Sequence, residues 1–164
     1  MEERKYTEDG LQLVDPLELI RGRPDMFLPS GQLRGIKLAV QLAEEVAIVT
    51  TGAIGLMRSG LWWIVACEED WVERCRGTGS VEHYFENMIP FPEYGVNSMH
   101  AEVVIRAFAK GLLTCRSGGD CISLIGRPPA EYLSTRVTRS LPLWRRFVAF
   151  HVEERPAPAA PPSP

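Results

Sequence analysis

The stretch Leu17-Glu-Leu-Ile-Arg-Gly-Arg-Pro24-Asp-Met-Phe-Leu28 holds a helix, its end and a restart in one short run. Asp15 and Pro16 in front of it form a helix start. Asp15 can cap, Pro16 suits the first helical position, and Glu18 sits where a capping box places its acid. Gly22 and Pro24 stop that helix within two turns. Downstream, Ser30-Gly31 opens a second helix to about Val49. Its apolar positions Leu33, Ile36, Val40, Ala43 and Ala47 recur at three- and four-residue steps and predict a core face.

Strand patterns follow. Residues 53–57 and 61–67 are apolar runs joined by Arg58-Ser-Gly60, a compact hairpin turn with the needed glycine. Residues 68–75 read as a short helix or an acidic turn, and 76–97 as a long irregular connection rich in Gly, Pro and aromatics. Asn97 or Ser98 caps a third helix to about Lys110, with Ala101, Val104, Ile105 and Phe108 inward. Gly111 ends it and starts a second hairpin, residues 112–116 with 121–125. Within 127–152, only 143–152 suggests an element, a closing strand or helix. Residues 1–14 read as a polar arm. The domain is taken as 1–152, with 153–164 a disordered Pro/Ala-rich tail. This order predicts an α+β two-layer sandwich, a mixed and mostly antiparallel sheet with helices on one face.

A chain of 164 residues suits one domain, and 45% hydrophobic with 24% charged residues is the balance of a globular protein rather than a disordered one. The net charge of −3 argues against a nucleic-acid-binding face, which needs a clustered basic excess. The longest apolar run, 61–67, is too short to cross a bilayer, and Met1-Glu-Glu-Arg-Lys5 lacks the apolar core of a signal peptide. A cytoplasmic location is the resulting expectation. Cys67, Cys75, Cys115 and Cys121 form no Cys-x-x-Cys pair, and His83, His100 and His151 are scattered, so no zinc site is expected. A two-residue turn at Gly118-Gly119 would set Cys121 opposite Arg116. Reduced, mostly buried thiols are therefore expected, without a Cys115–Cys121 disulfide.

Residues 17–28 resemble the leading segment of the ATPase domain of gyrase B and topoisomerase IV, where a short helix ends in Leu-Glu-x-x-Arg-x-Arg-Pro-x-Met-Tyr/Phe-Ile/Leu. The resemblance extends, more faintly, over about residues 12–126, and the element order is similar to that of the GHKL ATPase fold. In that family a glycine-started helix carries a glutamate that acts as general base, then an asparagine four residues on that holds Mg²⁺. Here Gly35-Ile-Lys-Leu-Ala-Val-Gln41-Leu-Ala-Glu44-Glu45 resembles that helix, with Gln41 at the base position and Glu45 at the asparagine position. A glutamine is no useful base, which implies a rate lower by about 10²–10⁴. Glu45 keeps a hard oxygen for Mg²⁺. Read from the residues alone, Gln41, Glu44 and Glu45 are the solvated flank of an amphipathic helix.

The family's Asp-x-Gly-x-Gly motif, which receives adenine, is matched by Asp70 as its carboxylate. Trp71 stands where a glycine is wanted, and Gly77-Thr-Gly79 is displaced. On the residues alone, Glu68 to Asp70 cap the end of the hairpin. The glycine-rich lid is reduced to Gly95, and Asn97 and Ser98 read as helix caps. The resemblance thus implies a candidate pocket of Gln41, Glu45, Asp70, Gly95 and Asn97 for ATP and Mg²⁺, with no catalytic residue. Trp62 and Trp63 should lie on opposite faces of one strand, one in the core and the other either at a contact surface or covered by the 76–97 loop. Phe91 and Tyr94, in the stiff stretch 88–94, either dock a partner or pack on their own domain. Arg139, Arg145 and Arg146 read as solvated surface. The expectation is a gyrase-B-like ATPase-fold domain without hydrolysis, serving as a scaffold for a protein partner or for self-association. The alternatives are a divergent Mg²⁺-dependent ATPase using Glu44 or Glu45, and a structural interaction protein without nucleotide.

Overall fold

A computed structural model of the chain describes residues 14–28, 32–93 and 98–154. The polar arm to residue 13, Ser30-Gly31 and residues 155–164 of the expected tail lie outside the described residues. Strands β1 (Ile54–Ser59) and β2 (Trp62–Cys67) form one antiparallel hairpin, and β3 (Ala109–Arg116) and β4 (Cys121–Ile125) form another. β5 (Arg146–Val152) lies between them and bonds antiparallel to both, giving the order β1-β2-β5-β3-β4. The fold is α+β with an antiparallel sheet. Ser59 faces Trp62, so the first turn is Gly60-Leu61, and Gly60 adopts φ +60°, a conformation that disfavours any side chain.

Side chains alternate between the two faces of the sheet. Val65, Leu112, Val148 and Phe150 join the larger core, under α1 (Pro16–Gly22), α2 (Pro24–Phe27), α3 (Gly35–Val49), α4 (Trp71–Cys75), α5 (Val81–Glu86) and α6 (Ala101–Phe108). Ile64, Ala66, Leu113, Phe147 and Ala149 face a second, smaller core with Leu133 and Val137 of α7 (Ala130–Ser140) and with Trp144. The helical layer expected on one face is present, and α7 adds cover to the other.

The start of α1 follows its sequence. Asp15 Oδ1 accepts from the Leu17 amide at 2.8 Å, Pro16 takes the first turn, and the helix ends at Gly22. The orientation of α3 is a correction. Its buried residues are Gly35, Leu38, Ala39, Leu42, Glu45 and Val46, whereas Ile36 and Val40 are each 39% exposed and Ala47 is exposed. The helix is apolar on most sides, so spacing does not select a face. Close approach to β2 does: a Cβ on Gly35 would lie 2.1 Å from Trp63 Nε1. The connection after α4 also holds more order than its composition suggests, because Ser80 Oγ caps α5 by accepting from the His83 amide at 3.1 Å.

The cysteine expectation is overturned. The connection between β3 and β4 is longer than two residues, which sets Cys121 opposite Cys115 rather than Arg116. The two form a disulfide with Cα atoms 4.1 Å apart, while Cys67 is free and buried and Cys75 free and partly buried. Among the described residues, no helix is long and apolar enough to cross a membrane.

Candidate functional site

The N-terminus of α6 is built without a local cap. His100 occupies the capping position, yet its side chain makes no capping hydrogen bond. Glu45, 2% exposed, supplies the acceptor from the middle of α3: its Oε2 accepts from the Ala101 amide at 2.7 Å. Its other oxygen accepts from Gln41 Nε2 at 3.1 Å. A carboxylate suits this place because the helix N-terminus carries partial positive charge. Two expectations change here. Glu45 belongs to the core face rather than the solvated flank, since it is the residue that satisfies α6. Ser98 does not cap α6, and Asn97 lies outside the described residues.

Around Glu45 the fold gathers residues from three further elements. Glu102, 1% exposed, accepts from Trp71 Nε1 of α4 through Oε1 at 2.8 Å, and its Oε2 has no hydrogen-bond partner. Such an orphaned oxygen costs roughly 1–3 kcal/mol. His100 Nδ1 stands 4.0 Å from both Glu45 Oε2 and Glu102 Oε2. It is hydrogen-bonded to the Tyr84 hydroxyl of α5 at 2.9 Å, and Phe91 stacks on its ring with centroids 4.5 Å apart.

Burial governs the protonation of all four groups. It pushes Glu45 up to about 8, helped by the nearby charge of Glu102, and raises Glu102 and the Tyr84 phenol as well. It pushes His100 down to about 4. Desolvation therefore drives the cluster towards two carboxylic acids, a neutral imidazole and a neutral phenol. Chemically, such a group can hold a cation or share protons.

Of the nucleotide-pocket candidates, Gln41 and Glu45 are brought together and Asp70 is committed elsewhere. Arg146 donates to Asp70 in bidentate fashion, Nε to Oδ1 at 2.8 Å and Nη2 to Oδ2 at 2.7 Å. Asp70 Oδ1 also caps α4 through the Glu73 amide at 3.1 Å. Arg146 is 3% exposed, so it is an interior partner and not solvated surface. The acidic run does close the first hairpin, as its residues suggest. Glu69 Oε1 accepts from the Thr51 and Gly52 amides, both at 2.8 Å, and Glu68 Oε2 from the Ala53 amide at 3.2 Å. Tyr94, Gly95 and Asn97 lie outside the described residues. An open groove of about 470 Å³ beside Gln41 is walled by Leu19, Met26, Phe27, Met88 and Met99, side chains that offer a phosphate no charged group.

The two tryptophans lie on opposite faces, and both are half-buried. Trp62 meets His151 edge-on at 4.9 Å, and Arg58 sits over the Trp63 ring at 4.9 Å. Phe91 is 2% exposed and packs within its own domain. Trp71, Tyr84, His100, Glu102 and Arg146 form the part of this architecture that sequence reasoning missed. The available signal was Glu102, a carboxylate inside the apolar run of α6. Compared with models of known protein families, with characterised proteins and with solved structures, the chain matches none.

Proposed function

We propose that this protein is a gyrase-B-like ATPase-fold domain that does not hydrolyse ATP and serves as a binding or interaction scaffold. The observation that carries the reading is the Gln41–Glu45 pair. At the two positions where the resemblance expects a base and a Mg²⁺ ligand, the side chains bond to each other, and Glu45 is turned inward to hold α6. Asp70, the third position, is consumed by Arg146. The scaffold half rests on α3, which leaves Ile36, Val40 and Ile48 exposed at 39, 39 and 46%. Ile36 and Val40 lie one turn apart on the same helix face, and adjoining exposed apolar side chains are what a contact surface would use. A cytoplasmic location goes with this reading.

The test is calorimetric titration with a non-hydrolysable ATP analogue and Mg²⁺, with turnover of Mg-ATP followed in parallel. The expected result is no turnover by the natural chain. If the Gln41→Glu variant gains turnover, position 41 is that of the lost base. Turnover by the natural chain that Gln41→Ala abolishes would overturn the reading.

A further inference from the structure

We propose that Glu45, His100 and Glu102 form a buried three-ligand site for one divalent transition-metal ion, held without any nucleotide. One donor atom from each residue lies within 4.8 Å of the other two, and all three residues are buried. The second observation is the Glu102 oxygen that has no partner. It is shut away from solvent on a residue 1% exposed, and it lies 4.0 Å from His100 Nδ1. Its place is explained if a cation sits between these donors.

The remote oxygens fit the same purpose. Glu45 Oε1 is held by Gln41 Nε2 at 3.1 Å, and Glu102 Oε1 by Trp71 Nε1 at 2.8 Å. Fixed outer donors of this kind orient ligating carboxylates. Tetrahedral zinc with bonds of about 2.0–2.2 Å places neighbouring donors about 3.4 Å apart. The two separations from His100 Nδ1, 4.0 Å each, and the third, within 4.8 Å, have to close by about 0.6 to 1.4 Å through side-chain rotation.

The donor set selects the ion. Imidazole nitrogen with two carboxylates suits zinc, cobalt, manganese or ferrous iron, whereas magnesium and calcium prefer oxygen alone. Two carboxylates also balance the two positive charges, so the buried complex carries no net charge from metal and ligands. One group stands in the way. The Tyr84 hydroxyl is hydrogen-bonded to His100 Nδ1 at 2.9 Å, and that contact has to be given up before Nδ1 can bind the metal.

The test uses the full chain, stripped with EDTA and titrated with Zn²⁺, Co²⁺ and Mg²⁺ without nucleotide. The expected result is one Zn²⁺ or Co²⁺ per chain, a raised melting temperature, a visible Co²⁺ spectrum and no comparable uptake of Mg²⁺. Glu102→Gln keeps the shape and is expected to weaken zinc binding at least about tenfold. Tyr84→Phe, which removes the competitor, is expected to tighten it and carries the test should Glu102→Gln not fold. Failure of both the natural chain and Tyr84→Phe to take up zinc overturns the proposal. So does uptake that persists unchanged in His100→Gln, which would put the ion elsewhere, on another histidine or a free thiol.

Discussion

Glu45 Oε2 accepts the Ala101 amide hydrogen at 2.7 Å, so one carboxylate in α3 caps a helix that begins 56 residues later. The bond ties the long helix to the start of α6, next to His100 and Glu102. Glu45→Ala removes the acceptor and strands a buried amide, and the expected loss is about 1–3 kcal/mol. Glu45→Gln keeps an acceptor oxygen and removes a carboxyl that resists ionisation, so it is expected to lose less than the alanine variant. Urea unfolding of the three proteins measures both. A glutamine variant less stable than the alanine one would show that the cap is not what Glu45 contributes.

The metal-free protein is expected to be most stable in mild acid. Glu45 titrates near 4.5 ordinarily and near 8 in the fold. Across that window the folded chain keeps a proton that the unfolded chain releases, so stability falls as pH rises and levels off above it. Burial of Glu102 acts in the same direction. His100 acts oppositely. Its ordinary value of 6.5 drops to about 4, so its contribution is lost as pH falls through that range. His100 offsets only one of the two carboxylates between about 4.5 and 6.5, so the decline is shallow there and steeper from about 6.5 to 8. Melting temperatures in EDTA across this range read the profile, and a melting temperature that climbs from 6.5 to 8 would contradict it.

Asp70 and Arg146 join the cap of α4 to the central strand. Breaking a buried ion pair by removing one partner costs about 3–5 kcal/mol. Asp70 retains 17% side-chain exposure, which places Asp70→Asn near the lower end. Arg146→Met should cost a similar amount. The double variant is expected to lose less than the sum by about 1–3 kcal/mol, because neither charge is then left alone. A double-mutant cycle by chemical unfolding tests this, and additive losses would show that the pair is not coupled.

Gly35→Ala has a diagnostic sign. In a helix, alanine is ordinarily favoured over glycine by about 1 kcal/mol. Here the added carbon would meet Trp63 Nε1 at 2.1 Å and Cδ1 at 2.3 Å. The indole has to move, and overpacking of this kind costs about 1–3 kcal/mol. A lower melting temperature with a changed tryptophan emission is expected. A stabilised variant would mean that the ring shifts freely.

Thiol counting checks the cysteine pairing. Denatured without reductant, the protein is expected to show two thiols, Cys67 and Cys75, and after reduction all four. In the native state both should react slowly near neutral pH. Cys67 is buried, and burial holds the Cys75 thiol up at about 11. Four thiols in unreduced protein would show that the pair stays open.

Local rules recover the elements whose causes are local. Asp15-Pro16 starts α1, Gly60 turns the first hairpin, and the second hairpin lies where its apolar runs place it. What escapes them is set at a distance. The facing of α3 depends on Trp63 meeting Gly35, and the inward turn of Glu45 depends on an amide in another helix. The disulfide turns on a one-residue difference in register. α7 escapes notice because its apolar stripe is narrow and four of its residues are serine or threonine, weak helix formers. Thr135 and Thr138 bond back to the carbonyls of Glu131 and Ser134, and only Leu133 and Val137 are buried. The Glu45, His100 and Glu102 cluster is invisible as spacing, since its members meet only when α3 packs against α6.

The place of β5 bears on how the chain reaches its fold. The last described strand in sequence occupies the middle of the sheet, so during synthesis both hairpins exist with one edge unpaired until residues 146–152 have emerged. Unpaired edges invite association with other chains. Assembly is therefore a late, long-range event that waits on one short segment. Until residues 146–152 dock, the inner strand of each hairpin keeps an unpaired edge, and chaperones have most reason to act in that interval.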